Sequence, residues 1–216
     1  MLRVRDTMTR DVVTLGPEAS AAEAWALCRE HNIRHVPIVQ EGQLVGLVSD
    51  RDLRDVRGGG DSDTPRWVRL GDMMTRKVVT IHPLDTIEHA AREIYERKIS
   101  CLPVVADDEL VGIITSEDMM HTLIELVGAH GRGTWVEVEV PNEPGTLADV
   151  TDVIRDRKVN IASIFLAPAS RETNRLIVLR LETTNPAGTV RGLEEAGYRV
   201  TTVESSVPAE PTRERA

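Results

Sequence analysis

The chain has 216 residues, six of them aromatic (three Trp, two Tyr, one Phe), and carries 26 basic against 35 acidic side chains, a net charge of −9. Its longest stretch without a charged side chain, Val159 to Ser170, falls far short of the ~20 apolar residues of a bilayer-spanning helix. Between Cys101 and Val150 one base, Arg132, faces ten acids, so there is no basic stripe to displace counterions from a nucleic acid and no aromatic platform to stack on bases. The amino terminus, MLRVRDTMTR, has no apolar core of the kind a signal peptide needs. The expectation is a cytoplasmic protein with no membrane and no nucleic-acid partner. Cys28 and Cys101 stand outside any CxxC or Cys/His spacing, which argues for buried apolar residues rather than a disulfide or a metal site.

Sliding the sequence against itself exposes a repeat. At an offset of 66, Met8 to Leu53 aligns with Met74 to Met119 without a gap and gives 16 identities in 46 pairs, where ordinary composition gives about three. MTRDVVTLGP answers MTRKVVTIHP, IRHVPIV answers ISCLPVV, and LVGLVSDRDL answers LVGIITSEDM. In chain order each copy predicts a short β-rich VVT piece ending at a Pro, then a helix (Ser20 to His31, Thr86 to Lys98) with apolar residues three and four apart. Ser20 with Glu23 forms a capping box at the first helix start. Two apolar strands follow, joined in the first copy through Glu41-Gly42, a tight hairpin pair, and a last helix begins at Asp50 or Ser116. Such a half-unit leaves an apolar sheet face uncovered, so two copies are expected to pack together. Gly58-Gly59-Gly60 and its neighbours predict a flexible linker over 57–69; no Gly-Lys-Ser/Thr follows, so it is no phosphate loop.

A second breaker cluster over 128–133 precedes a change of pattern. WVEVEV alternates as a half-exposed strand, PNEPGT turns the chain into a helix from about Leu147 to Lys158, and VNIASIFLA, RLIVLRLE, a helix near Thr189 to Ala196 and YRVTTV complete a β-α-β-β-α-β series over 134–204. The tail over 205–216 is expected to be disordered.

Each copy ends in hydroxyl-x-x-carboxylate, Ser49 with Asp52 and Thr115 with Asp118. In isolation this is a helix capping box. Here each instance follows a strand-end glycine (Gly46, Gly112), which admits close approach beside the free N–H groups of a helix start. A carboxylate there can accept two hydrogen bonds from a vicinal diol such as ribose.

The doubled pattern V-V-T-x-x-P, I-x-x-x-P-V-V, L-V-G-I-x-T/S-x-x-D resembles the cystathionine-β-synthase (CBS) domain pair, or Bateman module, over about Val4 to Val127, with copies at 1–56 and 70–127. The resemblance implies an α+β fold in which two CBS domains form a pseudo-twofold pair. It also implies two clefts for adenosine-containing ligands such as AMP, ATP, NAD or S-adenosylmethionine. Ser49 and Asp52, or Thr115 and Asp118, would hold ribose. Thr14, Val36 and Pro37 in one copy, and Thr80, Leu102 and Pro103 in the other, would lie against adenine. Arg34 and His35 would reach across the pseudo-twofold to phosphate in the Asp118 cleft, making it the better nucleotide site.

WVEVEVPNEPGTLADVTDVIRDRKVNIASI is similar to an ACT domain, a ferredoxin-like regulatory fold that often binds amino acids. In this reading Pro144 ends a strand, Gly145 lets backbone approach closely and Thr146 caps a helix whose amino end attracts a carboxylate. A ligand would meet Asn142, Gly145, Thr146 and Leu147, with Asn160 and Ile161 from a neighbouring subunit; the alternative is a surface that serves only dimerisation. The order CBS, CBS, ACT resembles the bacterial acetoin-utilisation accessory proteins. No catalytic signature accompanies these motifs: HExxH, G-x-S-x-G, Walker and G-x-G-x-x-G patterns are all absent. The function expected is a non-catalytic, homo-oligomeric metabolite sensor acting on an enzyme partner that the sequence does not name. A purely structural dimerisation module and a nucleotide-processing enzyme are the rivals.

Overall fold

The computed structural model describes residues 2–56, 68–128, 132–169 and 172–206. Most of the expected linker, the centre of the second breaker cluster and residues 207–216 of the expected tail lie outside them. The chain divides into two compact units, Met1–Thr122 and Leu123–Ala216.

The first unit holds both repeats. In the first, helix α2 (Ala21–Glu30) precedes strands β1 (His35–Gln40) and β2 (Gln43–Ser49) and helix α3 (Asp50–Val56); in the second, α5 (Ile87–Arg97) precedes β3 (Cys101–Ala106), β4 (Glu109–Thr115) and α6 (Ser116–Val127). The Ser20 hydroxyl accepts from the Glu23 amide and the Glu23 carboxylate accepts from the Ser20 amide, the reciprocal cap that the sequence predicts. Thr86 caps α5 by accepting from the His89 amide. Glu41 and Gly42 take left-handed φ values of 53° and 83° at the tip of the β1-β2 hairpin; Asp107 and Asp108 do so at 50° and 65° in β3-β4. Both tips have the two positive φ angles of a type I′ turn.

The four strands form one antiparallel sheet, β1-β2-β4-β3. Its central pairing is Gln43 with Glu109, two residues that are themselves 66 apart, so equivalent positions of the repeat meet where a pseudo-twofold axis must pass. Two cores follow from the pattern. Val36, Ile38 and Val48 pack with Ala21, Ala24, Cys28 and Leu53, while Leu102, Val104 and Ile114 pack with Ile81 and Ala90. Cys28 and Cys101 are free and buried. Desolvation pushes their thiols up to about 11 and about 12, so they behave as apolar filler.

Three features depart from the sequence reading. The VVT pieces are not strands. Each is coil leading to a single parallel bridge, Leu15 with Ile38 and Ile81 with Val104, and Gly16-Pro17 or His82-Pro83 stops further pairing. Two short helices also appear, α1 (Val4–Thr7) and α4 (Leu70–Met73), and each belongs to the other copy. Val4 and Arg5 donate to the carbonyls of Asp85 and Pro83, Thr9 exchanges two bonds with Ile113, and Val4 joins the second core. Leu70 and Gly71 donate to Ala19 and Pro17, Thr75 exchanges two bonds with Leu47, and Leu70 and Met74 join the first core.

The exchange gives the strand glycines their role. A Cβ on Gly46 would run into the Met74 side chain, and one on Gly112 would lie 2.6 Å from Met8 Sδ and 3.0 Å from the Thr9 carbonyl oxygen. These glycines admit the exchanged methionines, not a ligand.

The second unit is a four-stranded antiparallel sheet, β6-β7-β5-β8, made of β5 (Gly133–Pro141), β6 (Ile161–Pro168), β7 (Asn174–Leu181) and β8 (Arg199–Ser206). Helices α7 (Thr146–Asp156) and α8 (Ala187–Glu195) complete the βαββαβ order. Alternation on β5 turns Val136, Val138 and Val140 into a core with Val150, Ile154, Ile177, Leu179, Leu181 and Leu193. β8 runs through Ser205 and Ser206, which pair with Thr134 and Gly133, so the strand consumes the first two residues of the expected tail.

Candidate functional site

Two cavities of about 180 and about 210 Å³ open in the first unit. They are copies of one another. The first is built from Thr9, Val12 and Val13, from Ile33 and from Ile113 and Thr115; the second from Thr75, Val78 and Val79, from Ile99 and from Leu47 and Ser49. Each of these six positions in one has its partner 66 residues away in the other, whereas Asn32 and Glu117 line only the first. Asp118 lines the first cavity and Asp52 the second, and each cavity draws its walls from both repeats.

At the floor of each lies the hydroxyl-carboxylate pair. Asp52 Oδ2 accepts from the Ser49 amide at 2.8 Å and the Ser49 hydroxyl at 2.7 Å. Asp118 Oδ2 accepts from the Thr115 amide at 2.8 Å and the Thr115 hydroxyl at 2.7 Å. The return bonds, from the Asp52 and Asp118 amides to those hydroxyls, are 3.3 and 3.2 Å. Both are therefore capping boxes. The cap uses one carboxylate oxygen only: among the described residues neither Oδ1 accepts a hydrogen bond. A part-buried carboxylate held by two bonds to one oxygen, with the other oxygen unused beside a cavity, is an acceptor ready for a hydroxyl donor.

Arg34 and His35 of the first repeat line the Asp118 cavity beside Thr115 and Asp118 of the second. Arg34 Nη2 lies 3.3 Å from Glu117 Oε2 in an exposed ion pair. His35 lines both cavities, and its Nε2 is 2.8 Å from the Ser100 hydroxyl. Burial, and then the neighbouring Arg34 charge, hold its imidazole below the ordinary value. It is thus a neutral hydrogen-bonding group near neutral pH and not a second cation for phosphate.

The expected adenine contacts are not brought together. Val36 and Leu102 are fully buried in the two cores, Pro37 and Pro103 are buried in their strands, and Thr14 and Thr80 are exposed; none of the six lines either cavity. Adjacent strand residues face opposite sides of the sheet, so the cores take Val36 and Leu102 while Pro37 and Pro103 are buried on the other face. Ile33 and Ile99, just before the strands, and Val12, Val13, Val78 and Val79 form the apolar walls instead. The cavities are built across the repeat. The Asp52 cavity takes its valines from the second copy and the Asp118 cavity from the first.

In the second unit, Asn160 and Ile161 line a shallow depression with Thr151, Arg155 and Lys158, whereas Asn142, Gly145, Thr146 and Leu147 do not. The Asn160 side chain donates to Glu182 at 2.8 Å, the Asn142 amide donates to the Thr173 carbonyl, and Leu147 is exposed. Gly145 is itself the cap of α7, at φ 95°, and Thr146 makes no cap with its side chain. A Cβ at 145 would meet nothing within 4 Å, so glycine is needed for the left-handed turn rather than for close approach.

Among the described residues no cluster of His, Cys, Asp and Glu could hold a metal ion, and no helix is long and apolar enough to cross a membrane.

Comparison with known proteins agrees with this architecture. The CBS domain model matches residues 4–59 and 70–125, and the ACT domain model matches 134–197. The CBS domain-containing protein YhcV of Bacillus subtilis is 35% identical over 121 residues, 55% of this chain and 84% of that protein. Longer relatives include the inosine-5'-monophosphate dehydrogenase of Korarchaeum cryptofilum, 34% identical over 120 residues, of which the chain spans only 24%. A Vibrio cholerae protein assigned to acetoin utilization (AcuB) superposes with a TM-score of 0.54 at 37% identity, covering 59% of this chain and 94% of that one. The CBS pair of protein MJ0100, solved with 5'-methylthioadenosine and S-adenosyl-L-methionine, gives 0.52 at 32% identity over 57% of this chain and 96% of that one. CBSX2, solved with AMP, gives 0.51 at 27% identity over 59% and 99%. With two matches placed on the two halves of one sheet and a third on the βαββαβ unit, the chain belongs to the CBS domain family, as a tandem pair followed by an ACT domain.

Proposed function

We propose that this protein is a non-catalytic regulatory sensor whose two repeat-related cavities bind adenosine-containing ligands. The observation that carries the reading is the pair of aspartates, each held by its own capping box with one carboxylate oxygen unused beside a cavity walled by valines, isoleucine and, in the Asp52 cavity, leucine. A ribose diol supplies two hydroxyl donors for that oxygen, and the flat, largely apolar adenine suits the aliphatic walls. The adenosyl ligands held by the CBS pairs of protein MJ0100 and CBSX2 support the same class here.

Because each cavity is walled by both repeats, a ligand that prefers one arrangement of the two halves shifts their packing, and a tenfold preference corresponds to ~1.4 kcal/mol of coupling. The ACT domain then serves assembly or senses an amino acid. Exposed Ile164 and Leu166 on β6, at the edge of its sheet, favour a homodimer through that strand. A cytoplasmic role in acetoin or related carbon metabolism, through an enzyme partner, is consistent with the likeness to the Vibrio cholerae protein.

The test is a thermal-shift screen of the whole chain against AMP, ATP, NAD, S-adenosylmethionine and the twenty amino acids. Ligand at a hundred times its dissociation constant stabilises by ~2.7 kcal/mol, a clear rise in Tm. No rise with any adenosyl compound would leave the purely structural reading; turnover of ATP at enzyme-like rates would replace the sensor with an enzyme.

A further inference from the structure

The two cavities share a frame but not a charge. Asp11 in the Asp118 cavity and Lys77 in the Asp52 cavity occupy equivalent positions, one residue before the valine wall. The Asp118 cavity has three carboxylates, Asp11, Glu117 and Asp118, against one guanidinium, Arg34, a net −2. That guanidinium is already paired with Glu117. The Asp52 cavity balances one carboxylate with Lys77, a net of zero, and Lys77 makes no ion pair or hydrogen bond among the described residues. A phosphate monoester carries about −1.5 to −2 at neutral pH. It meets an unpaired ammonium in one cavity and a surplus of carboxylates in the other.

We propose that the clefts divide adenosyl ligands by charge: the Asp52 cleft takes a phosphorylated nucleoside of the AMP type through Lys77, and the Asp118 cleft takes an unphosphorylated one, best a cationic sulfonium such as S-adenosylmethionine, through Asp11. This rests on the adenosyl reading above and reverses the expectation that Arg34 and His35 make the Asp118 cleft the phosphate site. The same aspartate-ribose contact serves both clefts, so selectivity falls to the one pair of equivalent positions where the repeat changes sign.

Calorimetry on the full chain with three probes, AMP, adenosine and S-adenosylmethionine, tests the division. Lys77 and Asp11 are exposed and make no hydrogen bond or ion pair among the described residues, so neutral substitutions leave the fold intact. Lys77→Met should weaken AMP about tenfold while adenosine changes less than about twofold, and Lys77→Arg should restore AMP. Asp11→Asn should weaken S-adenosylmethionine and leave the AMP of the other cleft unchanged. If Lys77→Met weakens AMP and adenosine equally, or neither, or if AMP responds to Asp11→Asn instead, the division by charge is wrong while the adenosyl reading stands. If the wild-type chain binds none of the three probes, the adenosyl reading falls and the division falls with it.

Discussion

Asp52 and Asp118 each perform a local task, holding the first turn of a helix, that any Ser/Thr-x-x-Asp sequence could perform. The structural and functional readings of this motif are therefore compatible, because a carboxylate has two oxygens and the cap needs one. Asp118→Ala should lower stability by up to ~1 kcal/mol, because the Thr115 amide and hydroxyl lose their carboxylate acceptor while the Thr115 cap on the residue-118 amide remains, and, separately, abolish adenosyl binding in its cleft; denaturant titration and calorimetry of the same variant read the two effects. His35 yields a pH prediction. Its folded-state value is depressed by burial and then by Arg34, so the unfolded chain takes up this proton first as pH falls. The stability that His35 contributes is present above the unfolded value of ~6.5 and is lost as pH drops from there through the lower folded-state value. The urea midpoint should therefore fall between about pH 7.5 and about pH 5.5, and by less in His35→Asn. At this scale the sequence was legible where the chemistry is local. The Ser49-Asp52 and Thr115-Asp118 capping boxes form as their spacing predicts, and Arg34 and His35 line the Asp118 cavity. Val36, Pro37, Leu102 and Pro103 line neither cavity, because only the fold decides what each face of a strand packs against.

The elements divide in the same way. Helices and hairpins written by near-neighbour signals, the Ser20-Glu23 box and the Glu41-Gly42 tip, appear where the sequence puts them. The exchange of α1 and α4 between copies was not legible. Val4 and Leu70 each find their partners through contacts distant in sequence, and the motif MTR is identical in both copies, so periodicity cannot say which sheet it joins. Gly112→Ala tests the exchange. With the Thr9 carbonyl oxygen 3.0 Å from the new Cβ, backbone has to move, and a loss of ~1–3 kcal/mol is expected in chemical denaturation. The flexible Met74 side chain should let Gly46→Ala cost less. At the β3-β4 tip the opposite change should help: Asp108 sits at φ 65°, so Asp108→Gly should gain up to ~1 kcal/mol and raise Tm.

On the scale of the whole molecule, two repeat copies complete one sheet and two cavities, and neither copy contains a complete cavity of its own. The pairing of Gln43 with Glu109 makes the centre of this sheet a single antiparallel contact between equivalent residues, the kind of narrow seam on which a ligand touching both copies can act. The duplication announces this architecture in the sequence, and the family model matches follow it residue for residue. What the chain does with the resulting cavities depends on whether adenosine enters them.

Calorimetric titration of adenosine into the full chain and into an Asp52→Ala, Asp118→Ala double variant tests that most directly. The account predicts saturable binding to the native chain that is abolished in the folded double variant. Binding that survives loss of both aspartates, or none to the native chain, would contradict it.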